Sequence, residues 1–400
     1  MTRVVILHQH TNNFGDDAAG AALAKEVRET LRAGIVDVFY IWHKGGGTIP
    51  TPPSGFRHHH LNLLSGRTDT RARLAAIAVA HALLRICPNQ ELRALLQSSR
   101  AADAVFVAPA GSNLGLYKDW MYLLVLFILT NAGVRMTFCL NSFAASGSRV
   151  FDRLALFVLR RARVFTREIQ SREYLNSRRV RATLGADTAL VLARHRENSG
   201  NAIPSPTIAL VPTSLSTWHR DFRAIDDEQT VLEPILAAVV EVAIEQHFSI
   251  DLVPHLYGPE NEAILLDRIQ SRLTDMGCDA RVLSVTSYLG YIDALSRATV
   301  AISMRYHGVL CAAMSGTPCL SICYEEKMRD AADYLGYSPW TLDPHYLTRA
   351  ELASKLRDAI IHRSEVQGLV RARTAELAEI SRMPILEIRA ALLRSPQSPC

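Results

Sequence analysis

The feature that most constrains this chain is an alternation of short apolar runs with helix-like segments, played through twice with a polar break between the two passages. The apolar run Val4–Leu7 ends in His8-Gln9-His10-Thr11-Asn12-Asn13-Phe14-Gly15-Asp16-Asp17. A helix follows with Leu23, Val27 and Leu31 at four-residue spacing on one face, and Gly34 stops it. Val36–Ile41 and Ala104–Ala108 read as further strands, the latter running into Pro109-Ala110-Gly111-Ser112. Then come a mostly apolar helix from Asp119 to about Ala132, a strand over Val134–Leu140 and an amphipathic helix over Arg149–Arg161. A strand at Arg163–Thr166 and a helix through Tyr174 complete the passage. Strands separated by helices need crossover connections, which predicts a parallel, doubly wound α/β sheet.

Near Arg196 the pattern breaks at Glu197-Asn198-Ser199-Gly200-Asn201-Ala202-Ile203-Pro204-Ser205-Pro206, which offers almost nothing to bury. The alternation then restarts, with strands expected at Thr207–Val211, Ile250–Val253, Arg281–Val285, Val300–Ser303 and Cys319–Cys323. Helices are expected between them, including Tyr288–Leu295 and Gly308–Met314. The expectation is an α/β protein of two Rossmann-like doubly wound domains facing a cleft. The first is residues 1–195 and the second is residues 207–345, and helices in 346–400 pack back across the domains. His58-His59-His60 reads as a solvated loop, since consecutive histidines do not easily share one metal.

At 400 residues the chain suits two domains, and 48% hydrophobic against 21% charged residues excludes wholesale disorder. A formal charge of +5 is mild, and the basic residues form only short patches such as Arg160-Arg161-Ala162-Arg163, so nucleic-acid binding is not expected. Lysine is limited to Lys25, Lys44, Lys118, Lys327 and Lys355, which makes one beside a motif conspicuous. The seven cysteines lack paired zinc-site spacing, and no metal is expected. The N-terminus runs straight into a strand, and the longest apolar run, Met121 to Leu129, is about half of a bilayer span, so a cytoplasmic chain is expected.

The chemistry concentrates in Ala301-Ile302-Ser303-Met304-Arg305-Tyr306-His307-Gly308 and the stretch that follows it. A buried strand ending at Ser303 and a helix opening near His307 place Arg305 and His307 at the carboxyl edge of a sheet, beside a positive helix end. An anion there would meet backbone N–H groups, a guanidinium and an imidazole together. Gly316-Thr317-Pro318 turns the chain into a strand that brings Tyr324 and Lys327 to the same edge. Taken alone, Arg305 would instead pair with a nearby acid and His307 cap a helix.

Ser303-Met304-Arg305-Tyr306-His307-Gly308, with Ala313-Met314-Ser315-Gly316-Thr317-Pro318 and Tyr324-x-x-Lys327 after it, resembles the signature of the polysaccharide pyruvyl transferase family. Asn13-Phe14-Gly15-Asp16-Asp17-Ala18 is similar to that family's opening, Thr166-Arg167-Glu168-Ile169-Gln170-Ser171 to its Arg-Glu-x-x-Ser segment, and Gly185-Ala186-Asp187-Thr188-Ala189 to the stretch closing its first half. Where the family carries a glycine run after the third strand, this chain has Pro109-Ala110-Gly111-Ser112-Asn113-Leu114-Gly115. The resemblance implies a GT-B-like architecture and transfer of pyruvate from phosphoenolpyruvate, as donor substrate with no cofactor, to two hydroxyls of a sugar. The product is a ketal of cell-surface polysaccharide or glycolipid biosynthesis. It further implies that Arg305 and His307 bind the donor and take part in catalysis, that Arg167 adds a cation across the cleft, and that Lys327 steadies the departing phosphate.

On the acceptor side, Asn13 and Gly15 form a tight loop that could approach a ligand, and Asp16 and Asp17 read as helix caps or as a base for the acceptor hydroxyl. Thr213, Ser214 and Trp218 follow the second domain's first strand, where an indole could stack on a sugar or simply be structural. His255 reads as core or cleft lining and Asp187 as structural. The arginine-rich helices past Arg349 could also meet an anionic membrane surface. Two other functions fit the same residues: a GT-B glycosyltransferase using a nucleotide sugar, with Glu325 or Glu326 on its ribose, and a catalytically silent glycan-binding protein.

Overall fold

The computed structural model of the chain describes residues 2–40, 55–61, 79, 90–195, 205–215 and 228–394. They form two compact units. The first comprises Met1–Thr11, Ala19–Val191 and Leu377–Cys400; the second comprises Asn12–Ala18 and Leu192–Glu376.

In the first unit the strands are β1 (Thr2–Gln9), β2 (Ala33–Tyr40), β3 (Phe56–His60), β4 (Ala104–Val107), β5 (Thr137–Asn141), β6 (Arg163–Thr166) and β7 (Ala182–Leu184). They pair in parallel in the order β3-β2-β1-β4-β5-β6-β7. The chain reverses its direction of travel across the sheet at β1, so β1 and β4 flank a topological switch point. Crossovers are made by α1 (Phe14–Leu31), α2 (Gln90–Arg100), α3 (Trp120–Asn131), α4 (Arg149–Leu159) and α5 (Ile169–Ser177). α3 is apolar nearly all round and almost entirely buried, as a helix enclosed by its neighbours must be, and Asp119 caps it by accepting from the amides of Met121 and Tyr122. One face of the sheet buries Val5, Val105, Val107 and Phe138 against α3 and α4, and the other buries Val4, Ile6 and Phe106 against Leu23 and Val27 of α1.

The expected loop at His58–His60 is instead β3, an edge strand in register with Val36–Tyr40. Its histidines are taken up by β2: Nε2 of His59 lies 2.8 Å from Asp37 Oδ1, and the Tyr40 hydroxyl lies 2.8 Å from Nδ1 of His58.

The second unit repeats the plan with β8 (Thr207–Val211), β9 (Ser249–Leu252), β10 (Ala280–Val282), β11 (Val300–Ser303), β12 (Cys319–Ile322) and β13 (Thr341–Leu342), paired in parallel in the order β10-β9-β8-β11-β12-β13. Its switch point lies between β8 and β11. The helices are α6 (Glu233–Gln246), α7 (Ala263–Asp275), α8 (Tyr288–Arg297), α9 (Tyr306–Ser315) and α10 (Glu326–Leu335). α9 is buried through Met314 and ends at Gly316, whose φ of 69° is the left-handed geometry that a helix stop of this kind requires.

Three helices close the chain: α11 (Arg349–Ile361), α12 (Arg363–Ser381) and α13 (Met383–Arg394). α11 lies on α6 in the second unit, with Arg357 bridging Glu241 and Glu245 at 2.6 and 2.8 Å. α13 belongs to the first unit, where Ile385 and Ile388 enter the core beside Val36. Among the described residues no helix is long and apolar enough to cross a membrane.

Candidate active site

In the second unit the carboxyl edge at the switch point gathers most of the chemistry. β11 and β12 run in register with Ser303 opposite Ser321, so the residues following each strand emerge side by side. Arg305 is the N-cap of α9 and His307 lies in its first turn; Glu325 is the N-cap of α10 and Lys327 lies in its first turn. Two helix N-termini, the cations of Arg305 and Lys327, the imidazole of His307 and the carboxylate of Glu325 thus share one sheet edge.

Arg305 is buried, and its backbone is fastened by Ser303, whose Oγ accepts from the Arg305 amide at 3.1 Å and donates to the Arg305 carbonyl at 2.8 Å. Its guanidinium donates to Oε1 of Glu262. Burial works against the charge of Arg305, but Glu262, together with Tyr324 and Tyr291, outweighs it and the arginine is held charged. Glu262 is itself clamped, because its Oε2 accepts from the amides of His255 and Leu256, both at 3.0 Å. Sequence reasoning missed Glu262, which lies 43 residues from its partner in a segment without a motif. Its only signal was an acidic residue just ahead of a helix.

His307 is packed by the loop at the start of α1, whose first turn belongs to this unit. That loop pairs with the chain after β9: Asn13 bridges Leu256, the Phe14 amide donates to the His255 carbonyl at 3.1 Å, and the Tyr257 amide donates to the Asn12 carbonyl at 3.1 Å. Asn13 rather than either aspartate caps the helix, its Oδ1 accepting from the amides of Gly15 and Asp16 at 2.8 and 3.2 Å. Asp16 is left to face His307, Oδ1 to Nδ1 at 3.7 Å, and Asp17 accepts from the Tyr257 hydroxyl at 2.6 Å. Gly15 lies directly against the imidazole of His307, where any Cβ would collide with it.

Behind this layer His255 is fully enclosed, its Nδ1 3.0 Å from the Tyr291 hydroxyl and its ring stacked 6.4 Å from that of His307. Burial, then the neighbouring Arg305 and His307, push its pKa well down, so it is a neutral imidazole. Thr213, just past β8, is buried with a hydroxyl that meets no partner among the described residues. Lys327 Nζ lies 2.5 Å from Oε2 of Glu325. Trp218 lies outside the described residues.

Arg167 is placed in the first unit, after β6. It is 3% exposed, with Nη1 2.7 Å from Asp187 Oδ2 and Nε donating to Ser142 Oγ at 3.1 Å. Its neighbour Glu168 accepts from Ser142 and Ser171 at 2.9 and 2.6 Å, and Ser171 in turn bonds both amide and carbonyl of Phe143. The Arg-Glu-x-x-Ser segment therefore ties the ends of β5 and β6 together. Asp187 accepts from the Ala189 amide at 2.9 Å, and its carbonyl accepts from Ser381 at 2.8 Å. Among the described residues no group of three His, Cys, Asp or Glu side chains is arranged to hold a metal ion.

Compared with known proteins, the sequence matches the model of the polysaccharide pyruvyl transferase family over residues 13–326. No curated protein matches it. Among solved structures the chain resembles UDP-GlcNAc 2-epimerase from Neisseria meningitidis, bound to UDP-GlcNAc, at 11% identity and a TM-score of 0.60, covering 97% of this chain and 100% of that one. It resembles UDP-GlcNAc 2-epimerase from Methanocaldococcus jannaschii at 10% identity and a TM-score of 0.57, with 90% and 93% covered. A UGT transferase from Siraitia grosvenorii, in complex with UDP, matches at 12% identity and a TM-score of 0.53, with 98% and 100% covered. At such identities the likeness concerns the fold alone, which is the two-unit α/β fold of GT-B-type proteins.

Proposed function

This chain belongs to the polysaccharide pyruvyl transferase family, and from that premise we propose that it moves the pyruvyl group of phosphoenolpyruvate onto two hydroxyls of one sugar as a cyclic ketal. The observation that supports this reading is the sharing of one sheet edge by Arg305, His307 and Lys327, each at the opening of a helix. Phosphoenolpyruvate carries a carboxylate and a phosphate on three carbons, and such a compact anion calls for fixed cations and oriented N–H groups rather than flexible ones. Glu262 keeps Arg305 charged and oriented before the donor arrives.

The chemistry balances without an external redox partner. A proton added to the donor's methylene carbon makes its neighbour electrophilic, and one sugar hydroxyl adds there. The bond to the phosphate oxygen breaks and phosphate leaves; the second hydroxyl adds to the same carbon. Of the two hydroxyl protons released, one replaces the proton given to the new methyl group and one departs with phosphate. In this scheme His307 delivers the proton, Arg305 holds the carboxylate, and Lys327 meets the leaving phosphate. On this reading the reaction takes place in the cytoplasm, on a glycan precursor of the cell envelope.

Two measurements test this. Phosphoenolpyruvate should raise the thermal midpoint of the protein where nucleotide sugars do not, and Arg305→Ala and His307→Ala should lose that shift or the turnover that follows it. Mass spectrometry of surface glycans, with and without the gene, should show one ketal-linked pyruvate lost. Unaltered glycans together with unaltered kinetics in both variants would remove the assignment.

A further inference from the structure

The first unit carries a polar cluster at its own switch point that the scheme above does not use. β1 and β5 lie on either side of β4, and both break register at their carboxyl ends, between Ile6 and Gln9 in one and between Phe138 and Asn141 in the other. In each bulge one residue takes the left-handed backbone, His8 with φ of 61° and Leu140 with φ of 58°. For side chains with a Cβ this conformation is strained, and bulges and strain of this kind gather where a side chain must be re-aimed. His8 is 1% exposed, stacks on Tyr122 with ring centroids 3.9 Å apart, and neither ring nitrogen has a hydrogen-bond partner among the described residues. The next partner in the cluster is Asn141, whose Nδ2 donates to the Ala108 carbonyl at 2.8 Å and to the Tyr122 hydroxyl at 3.4 Å while its Oδ1 meets no partner. Nε2 of His10, near the same Tyr122 ring, is also buried without one.

Buried polar atoms are paired in nearly all proteins, and leaving several unpaired at the carboxyl edge of a doubly wound sheet is costly unless something else completes them. The two stacked rings are uncharged. Burial and the proximity of His10 push the His8 pKa well down, and burial followed by Asp119 pushes that of Tyr122 up, so both rings are neutral. The charged groups nearby are already engaged, Asp119 in capping α3 and Arg167 with Asp187. A neutral imidazole offers one donor and one acceptor, and an amide oxygen a second acceptor; that set matches sugar hydroxyls and not a phosphate or carboxylate.

We infer that His8, Tyr122 and Asn141 form a binding site for a neutral, hydroxyl-bearing ligand, which, resting on the transferase reading above, is the acceptor sugar. His8 and the Asn141 carbonyl oxygen would bond hydroxyls directly, and Tyr122, stacked on the imidazole and held at its hydroxyl by Asn141 Nδ2, would orient the His8 ring.

The experiment uses the full chain with 15N-labelled imidazoles, at about pH 7.5 where His8 is neutral, and without phosphoenolpyruvate. It is titrated with the methyl glycosides of galactose, glucose and mannose, and separately with inorganic phosphate. The His8 resonances are identified as those missing from His8→Phe, with His8→Gln as a second variant should the first not fold. At least one glycoside should move the His8 ring nitrogens saturably. His8→Phe should weaken that glycoside about tenfold or more. His8 resonances that ignore every glycoside overturn the proposal however the variants fold, and would mark an imidazole that is structural or held by water. Equal glycoside binding by parent and variant overturns it too, as does a larger response to phosphate. Phosphate release from phosphoenolpyruvate is a separate assay, so failure of the transferase reading and failure of this site are distinguishable.

Discussion

The backbone of Gly15 lies so close against His307 that a Cβ at position 15 would overlap the imidazole's Cβ, Cγ and Nδ1. Gly15 has no positive φ that would call for glycine on conformational grounds, so the requirement is room for the histidine. Gly15→Ala must displace His307 or unseat the Asn13 cap. Displacing a reacting group by about 1 Å can cost on the order of 100-fold in rate. The expected result is kcat reduced by about 10- to 100-fold with the fold retained, read from phosphate-release kinetics beside a thermal melt. Parental turnover in this variant would show that the position of His307 does not matter to the reaction.

Glu262 holds the guanidinium of Arg305 with one oxygen and two main-chain amides with the other, so it acts through Arg305 as a positioning residue. Glu262→Gln preserves the amide bonds and removes the charge. The KM for phosphoenolpyruvate should rise about tenfold with a smaller change in kcat, because a mispositioned arginine weakens donor binding before it affects chemistry. If Glu262 merely competed with the donor for Arg305, KM would fall instead, and steady-state kinetics separates the two directions.

Arg167 and Asp187 are buried together at 2.7 Å, with side chains 3% and 0% exposed. Removing one member of such a pair strands the other charge, a loss of about 3–5 kcal/mol. Arg167→Ala should therefore lower the urea midpoint strongly with an unchanged slope. Arg167→Ala, Asp187→Ala and the double variant should be non-additive, the double change costing less than the sum of the two. Full additivity would show that the two side chains do not depend on each other.

Much of this was legible in the chain because buried parallel strands are written as short apolar runs, such as Val300–Ser303, and the helices between them carry their own periodicity. Strand order was not legible, since pairing β1 with β4 depends on contacts about a hundred residues apart. His58–His60 escaped because an edge strand whose histidines pair with Asp37 and Tyr40 shows no apolar alternation. The residues of the Arg305 edge were readable from a strand-to-helix junction, whereas Glu262, which fixes that arginine, reaches it only through tertiary folding. The membership of residues 12–18 in the second unit was likewise hidden, because it rests on the backbone pairing of Asn13 with Leu256.

Gly368 supplies a control from the opposite end of the energy scale. It is an exposed position within α12, without a positive φ, and a Cβ there would meet nothing within 4 Å. Glycine in a helix interior is less favourable than alanine by about 1 kcal/mol. Gly368→Ala should raise the thermal midpoint by about 2 °C for a chain of this size, with kinetics unchanged. A lower midpoint would mean that α12 bends or frays at that point.

Acid sensitivity follows from the two enclosed imidazoles. In the folded protein the pKa of His8 is lowered by burial and then by His10, and that of His255 by burial and then by Arg305 and His307. The unfolded chain takes up protons near pH 6.5 that the folded chain refuses, so stability is complete above that pH and declines as pH falls below it. Each such group contributes a slope of about 1.4 kcal/mol per pH unit until its folded pKa is reached. His255→Asn loses the contact with Tyr291 and should be less stable at about pH 7.5, yet its midpoint should fall less steeply towards about pH 5.5 than that of the parent. Parallel melting curves across that interval would show that His255 is already protonated in the folded state, and with it that the imidazole behind Arg305 carries a charge.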